Sequence, residues 1–182
     1  ALIYYTAFEF DLESIAETDD EKGLRQNMID LLTPMCKGWC TEVGLEVVQT
    51  GLQVMGGVGY TKDFPLEQLY RDARISTIYE GTTDIQALDL IGRKILRNDG
   101  ALFQLLMGHF SELINEHKDH EEMGQLINIF EGYCESLYET SMSTKEILNE
   151  RGMESIALYA TPFLMFISSV TAGWLLLQQA VL

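Results

Sequence analysis

Apolar side chains in this chain recur at intervals of three and four, and almost nowhere do they alternate with polar ones as a half-buried strand requires. Only 3 of the 182 residues are Pro. That pattern points to an all-α fold, helices packed on helices. Leu2, Tyr5, Phe8 and Leu12 mark one helical face, followed by a polar connection around Thr18–Gly23. Thr33-Pro34 reads as an N-cap with Pro in the first turn. From there Met35, Trp39, Val43, Val47 and Val54 carry a long helix to a glycine cluster, Gly56-Gly57-Val58-Gly59. The β-branched stretch Ile75-Ser76-Thr77-Ile78-Tyr79 reads as extended, ending before Gly81. Thr83, with Gln86 three residues on, has the form of a capping box and predicts a helix to about Leu96.

Arg97-Asn98-Asp99-Gly100 is a stop signal, and composition changes there: residues 98–182 hold 3 of the 12 Lys and Arg but all 3 His. Leu102, Leu105, Leu106, His109, Phe110 and Leu113, then Leu126, Ile129, Phe130, Tyr133 and Leu137, keep the helical spacing. Two helical parts follow, residues 1–97 and 98–182. Ser155 to Leu182 carries no charged residue and is long enough to cross a bilayer. Thr161, Pro162, Ser168, Ser169, Thr171, Gln178 and Gln179 interrupt it, and its flank (Glu146, Glu150, Glu154) is acidic, not basic. A helix buried on all sides has the same composition, and that reading is preferred to a membrane span.

Charge narrows the function classes. The 12 Lys and Arg stand against 28 Asp and Glu, a formal net charge of −16. A face that neutralises nucleic-acid phosphates needs clustered cations, which this chain cannot assemble, and anionic lipid is disfavoured on the same ground. The 3 Cys, an odd and sparse count, suit a reducing, cytoplasmic setting better than a disulfide framework. Ala1, inside an apolar run, reads as part of a longer polypeptide whose targeting signals fall elsewhere.

Glu80 sits between the segment ending at Tyr79 and the helix beginning near Thr83. Gly81 supplies a tight turn, so the carboxylate projects instead of folding into the helix. A helix N-terminus favours the ionised form, while Ile78 and Tyr79 favour the neutral one. Opposed influences of this kind poise a general base, although an acidic residue decorating a helix start has the same spacing. Gln53-Val54-Met55-Gly56-Gly57 ends a helix in backbone that a ligand could approach closely, or is simply a helix cap with a turn. Arg71, Asp72 and Arg74 read as an ion-pair cluster fixing the segment before Glu80. Cys36 and Cys40 share a helical face and read as packing residues. His117 and His120, beside Glu121 and Glu122, read as a solvated helix end and not a metal site.

The continuous run from Gly51 through Leu96, and within it Gly81-Thr82-Thr83-Asp84-Ile85-Gln86-Ala87-Leu88-Asp89-Leu90-Ile91-Gly92-Arg93-Lys94, resembles the C-terminal helical domain of the acyl-CoA dehydrogenases, a domain of four-helix-bundle type. Residues 1–51 are similar to its first helices. The likeness is greatest to the larger bacterial members, of the 3-methylmercaptopropionyl-CoA dehydrogenase type, which carry a further C-terminal helical extension; residues 98–182 would be that extension.

The resemblance implies that FAD takes a hydride from the β-carbon of an acyl-CoA thioester while Glu80 removes an α-proton. It implies a backbone contact from Gly81 to the thioester and contacts from Thr82, Thr83 and Asp84 to FAD, Asp84 departing from the usual family residue. Gln53, Val54, Met55, Gly56 and Gly57 would reach the FAD of a neighbouring subunit, hence a homo-oligomer, dimer or tetramer. Electron-transfer flavoprotein is the implied electron acceptor; an acyl-CoA oxidase would use O₂ instead, and a helical assembly domain that kept the motif would bind no flavin. The family's N-terminal helical and middle β-domains have no counterpart in these residues, so the piece alone is expected neither to hold FAD tightly nor to turn over substrate.

Overall fold

The computed structural model describes residues 1–96 and 100–182. The described residues form α1 (Leu2–Ile15), α2 (Asp19–Met55), a 3-10 turn (Gly56–Tyr60), α3 (Leu66–Ser76), α4 (Thr83–Asp89), a π-helical turn (Leu90–Ile95), α5 (Ala101–His117), α6 (Gly124–Arg151) and α7 (Met153–Ala180). Among them there is no strand, so the fold is all-α.

The spine is α2. Its 37 residues make a rod about 55 Å long, and α1, α3, α4 and α7 all pack along it. It begins well before Thr33-Pro34. Thr18 is the N-cap: its hydroxyl accepts from the Glu21 amide, the Glu21 carboxylate accepts from the Thr18 amide, and Asp19, Asp20 and Glu21 occupy the first turn. The expected polar connection is therefore the opening of the helix. The Thr18 amide first, then the Thr18 hydroxyl and the Glu17 amide, hold the Glu21 carboxyl below its ordinary range. Pro34 lies inside α2, where it removes a hydrogen bond and crowds the preceding turn. The helix continues because burial outweighs that cost: Leu31, Leu32 and Met35 are fully enclosed, and Thr33 gives its hydroxyl to the Ile29 carbonyl at 2.7 Å instead of capping a new helix.

Met28, Leu31, Leu32 and Met35 of α2 join Leu90 and Ile91 of the π-helical turn, Leu106 and Phe110 of α5, Ile127 and Leu137 of α6, and Leu164, Ile167 and Trp174 of α7 in one apolar core. The join expected at residues 97–98 lies outside the described residues; side chains from both sides of it share this core.

Two faces differ from the expected stripes. On α1, Phe8 points outward and Glu9 inward, only 2% exposed, because Arg25 meets the Glu9 carboxylate at 3.2 Å and Tyr5 takes the apolar position, edge-on to Trp174 with 5.4 Å between ring centroids. On α6 the buried stripe is Ile127, Phe130, Cys134, Leu137 and Ser141, leaving Leu126, Ile129 and Tyr133 exposed.

α7 is the one helix among the described residues long and apolar enough to cross a membrane, and half of its most apolar window is buried inside the protein. Ile156, Ala160, Phe163, Leu164, Ile167, Thr171 and Trp174 face the core. Its seat on α2 is close. A Cβ at Gly38 would stand 2.9 Å from Leu164 Cδ1, and Trp39 Nε1 donates to Ser169 Oγ at 3.1 Å.

Candidate functional site

The site is assembled where α3 ends, α4 begins and both meet α2. The stretch Ile75–Tyr79 is not extended: α3 runs through Ser76 and residues 77–80 turn back. Its β-branched residues are overridden by tethers. Lys37, on α2, donates to the Ser76 carbonyl at 2.5 Å and lies 5.2 Å from the centre of the Tyr79 ring. Arg74 Nη1 donates to Thr77 Oγ1 at 2.9 Å, and Thr77 is buried. Arg71 pairs with Glu67 at 2.9 Å, while Asp72 accepts from Gln68, so the expected Arg–Asp–Arg cluster is replaced by pairs one helical turn apart.

The turn ends in Glu80 and Gly81. Among the described residues Glu80 is the non-glycine residue with positive φ, at 55°, and Gly81 follows at 95°. A side chain at Gly81 would be strained there and its Cβ would stand 2.9 Å from Gln86 Nε2. That amide is engaged with the Glu80 carbonyl, to which it donates at 3.2 Å. Gln86 therefore pins the turn from one helical turn downstream, not as half of a capping box. The N-cap of α4 is Thr82, without a side-chain bond, and Thr83 spends its hydroxyl on Glu42 Oε1 of α2 at 2.5 Å. The helix predicted to reach Leu96 changes after Asp89 into the π-helical turn, in which the Leu96 amide reaches five residues back to the Ile91 carbonyl. The Lys94–Asp30 contact at 3.1 Å holds that turn against α2, and an Asp89–Arg93 ion pair ties it to the end of α4.

A cleft of about 610 Å³ opens beside this turn, walled by Glu42, Leu45 and Gln49 of α2, by Thr77 and Ile78, by Thr82, Thr83 and Asp84, and by Thr161 and Met165 of α7. Thr161 Oγ1 donates to Asp84 Oδ1 at 2.5 Å. Glu80 is exposed and does not itself wall the cleft, although Ile78 and Thr82, two residues to either side, do. Ile78 and Tyr79 are themselves about half exposed, so the described residues place no apolar cover over the Glu80 carboxylate. Any dry environment for it must come from other polypeptide.

Gln53, Val54, Met55, Gly56 and Gly57 lie apart from this cleft. They end α2 four to eight residues beyond Gln49 of the cleft wall, roughly 6–9 Å along the rod for those still helical, and all are exposed, Val54 to 82%. Gly56, with φ 63°, gives its amide to the Gln53 carbonyl, and a Cβ at Gly56 or Gly57 would meet nothing within 4 Å. Gly59 is the crowded glycine: a Cβ there would stand 2.6 Å from that of Met55.

The two segments read as cofactor-binding fit a flavin nucleotide differently. Gln53–Gly57 is open, uncharged backbone that another subunit's ligand can approach. In the cleft, Thr83 and Asp84 have side chains already committed, and Glu42, Glu46 and Asp84 outnumber the single Arg74, surroundings that disfavour a phosphate. Thr82 remains exposed and unengaged by its side chain. Lys37, Glu42 and Thr161 belong to the site, yet no local spacing marks them; each meets it through a contact remote in sequence.

A family profile described as acyl-CoA dehydrogenase, C-terminal domain, matches residues 11–96. The chain is 35% identical over 160 residues to 3-methylmercaptopropionyl-CoA dehydrogenase of Ruegeria pomeroyi, covering 86% of this chain and 26% of that protein. It is 30% identical over 191 residues to a broad-specificity linear acyl-CoA dehydrogenase of Mycobacterium tuberculosis, covering 99% of this chain and 30% of the relative. Over 63 residues it is 46% identical to an acryloyl-CoA reductase (NADH) of Anaerotignum propionicum, covering 35% of this chain and 16% of that protein. The chain thus spans under a third of the length of the first two.

Proposed function

From the premise that residues 11–96 are an acyl-CoA dehydrogenase C-terminal domain, we propose that this chain is the closing helical part of a FAD-dependent enzyme that introduces an α,β double bond into an acyl-CoA thioester, with Glu80 as the base. The observation that carries the reading is the backbone of Glu80. A non-glycine residue held at φ 55° is costly by about 1–3 kcal/mol, and here it is over-determined by Lys37, Arg74 and Gln86. Strain of that kind, kept at a residue able to take a proton, supports a catalytic use.

In this reading FAD, when bound, would supply the acceptor for the β-hydride. Glu80 takes the α-proton on its carboxylate, and Gly81, free of a side chain, lets the thioester carbonyl lie against the main chain. Thioester α-protons are weakly acidic, so the base needs a dry site; the missing cover over Glu80 is proposed to come from the part of the polypeptide that precedes this chain in its relatives. Gln53–Gly57 are proposed to contact the flavin of a neighbouring subunit, which requires a homo-oligomer, and Thr82 to contact it from within the subunit. Thr83 and Asp84 act there by shaping the start of α4, their side chains being turned to Glu42 and Thr161. Electron-transfer flavoprotein is the proposed electron acceptor.

The test is Glu80→Gln in the intact protein, assayed with a panel of acyl-CoA thioesters alongside flavin content. Dehydrogenation should fall by roughly a thousandfold or more with flavin still bound. Substantial residual turnover would mean that the base lies elsewhere.

A further inference from the structure

The first turn of α4 cannot hold itself. The helix has seven residues, no side-chain cap at Thr82, and a π-helical turn in place of further α-helix; an isolated segment of that length is unstable in water. Two outside ties hold it. Glu42 takes the Thr83 hydroxyl, and Thr161, 77 residues further along the chain, gives its hydroxyl to Asp84.

Thr161, like Thr83, differs from most threonines inside these helices. Thr6, Thr33, Thr41, Thr144 and Thr171 all turn their hydroxyls back onto the carbonyl four residues earlier in their own helix. Thr161 instead reaches across to α4. It does so from a fixed base. Its neighbours Ala160, Phe163 and Leu164 are buried, Leu164 is seated in the notch left by Gly38, and Ser169 accepts from Trp39 two turns on. From Asp84 the connection runs through α4 to Gln86, whose side chain holds the Glu80 carbonyl.

We propose that Thr161 is a positioning residue. Its bond to Asp84 fixes the first turn of α4 and, through Gln86, the backbone of Glu80, so that α7 sets the geometry of a base 81 positions before it in the chain. The inference rests on the reading of Glu80 above, and the geometry gives α7 a role in the site beyond filling the core.

The test uses the intact protein with Thr161→Val, which keeps the shape and removes the donor, and Thr161→Ser, which keeps the donor. Two readouts are taken: kcat per bound flavin, and hydrogen exchange of the amides at residues 78–84. In T161V, kcat should fall roughly ten- to a hundredfold, as expected for a misplaced catalytic group, with KM changed less than kcat, and the 78–84 amides should exchange faster. T161S should restore both. An unchanged kcat per flavin, unchanged exchange, or a T161S protein that behaves like T161V overturns the proposal. Should T161V not accumulate, Asp84→Ala removes the same bond from its other end and is judged by the same two readouts. Glu80→Gln assayed in parallel separates the outcomes: residual turnover there removes the base assignment, whereas loss there beside a fully active T161V removes the role of Thr161 alone.

Discussion

The two halves of α2 live in different environments. From Met28 to Gly38 its inward residues are buried by α1, the π-helical turn, α5 and α7. Beyond Gly38 no residue of the helix is fully buried, Val47 and Val54 are largely exposed, and α3, which packs against this stretch, has no buried residue at all. One rod is thus a core element at one end and an arm at the other. The core half is held by apolar burial, which is non-directional and large. The arm is held by directional contacts such as Glu42–Thr83, with Lys37–Ser76 at its root, each of which is modest. Of the residues read as catalytic or cofactor-binding, Gln53–Gly57 end the arm and Glu80 and Thr82 lie exposed near its root, whereas Thr83 and Asp84 are engaged with Glu42 and Thr161.

Paired truncations probe the contrast most strongly. Leu32→Ala should lower the unfolding free energy by about 2–5 kcal/mol, because the side chain is fully enclosed. Val54→Ala, at an 82% exposed position, should change it by less than about 0.5 kcal/mol. Urea unfolding of this chain followed by far-ultraviolet circular dichroism measures both. Comparable losses at the two positions would show that the arm is packed after all. In the intact protein Val54→Ala should become costly if Gln53–Gly57 lie at a subunit contact, which would sharpen the contrast into a division between folding and assembly.

A smaller effect is expected at the start of α2. Thr18→Ala removes one side of the Thr18–Glu21 box and should cost about 1 kcal/mol, read by the same urea titration. The expected sign with pH is definite. Glu21 binds its partners as a carboxylate and is held below its ordinary range, so the stabilisation is present at neutral pH and fades as pH falls through its folded value. The Thr18 amide survives in Thr18→Ala, but the Thr18 hydroxyl also favours the Glu21 carboxylate, so the loss should shrink in acid. A loss independent of pH would place the effect in the hydroxyl's bond to the Glu21 amide alone.

What could be read from the sequence follows the same division. Helical periodicity set by burial was legible, as was the turn at Glu80-Gly81, because only glycine accepts that backbone without strain. Local signals misled wherever a tertiary contact outweighed them. Pro34 looked like a helix start, but enclosure of Leu31, Leu32 and Met35 carries the helix through it. Ile75–Tyr79 looked extended, but Lys37 and Arg74 fold it back. The Thr18 box was hidden in a run of charged residues. Glu42 and Thr161 left no trace in local spacing, since they meet Thr83 and Asp84 across 41 and 77 residues, and only the packing of α2 and α7 on α4 brings them there.

Cys36 and Cys40 stand at the border between the two environments, one turn apart and both partly exposed, and they report how sharp that border is. The Cys40 thiol, one turn on, can donate to a Cys36 thiolate, and the Cys36 sulfur lies 3.2 Å from the Thr6 hydroxyl. The bond to Cys40 brings the Cys36 thiol down to about 7 and pushes Cys40 well up, while burial raises Cys134 to about 12. The thiolate is the reactive form, so iodoacetamide at neutral pH should label Cys36 ahead of Cys40 and Cys134, with peptide mass spectrometry assigning the order. The Cys36 rate should climb below about pH 7 and level off above it. Replacing Cys40 by Ala removes the donor and should move that midpoint upward, toward an ordinary thiol. A rate in the unmodified protein that keeps rising tenfold per pH unit through pH 8 would mean that the Cys40 bond does not form, and that the arm begins earlier along α2 than Gly38.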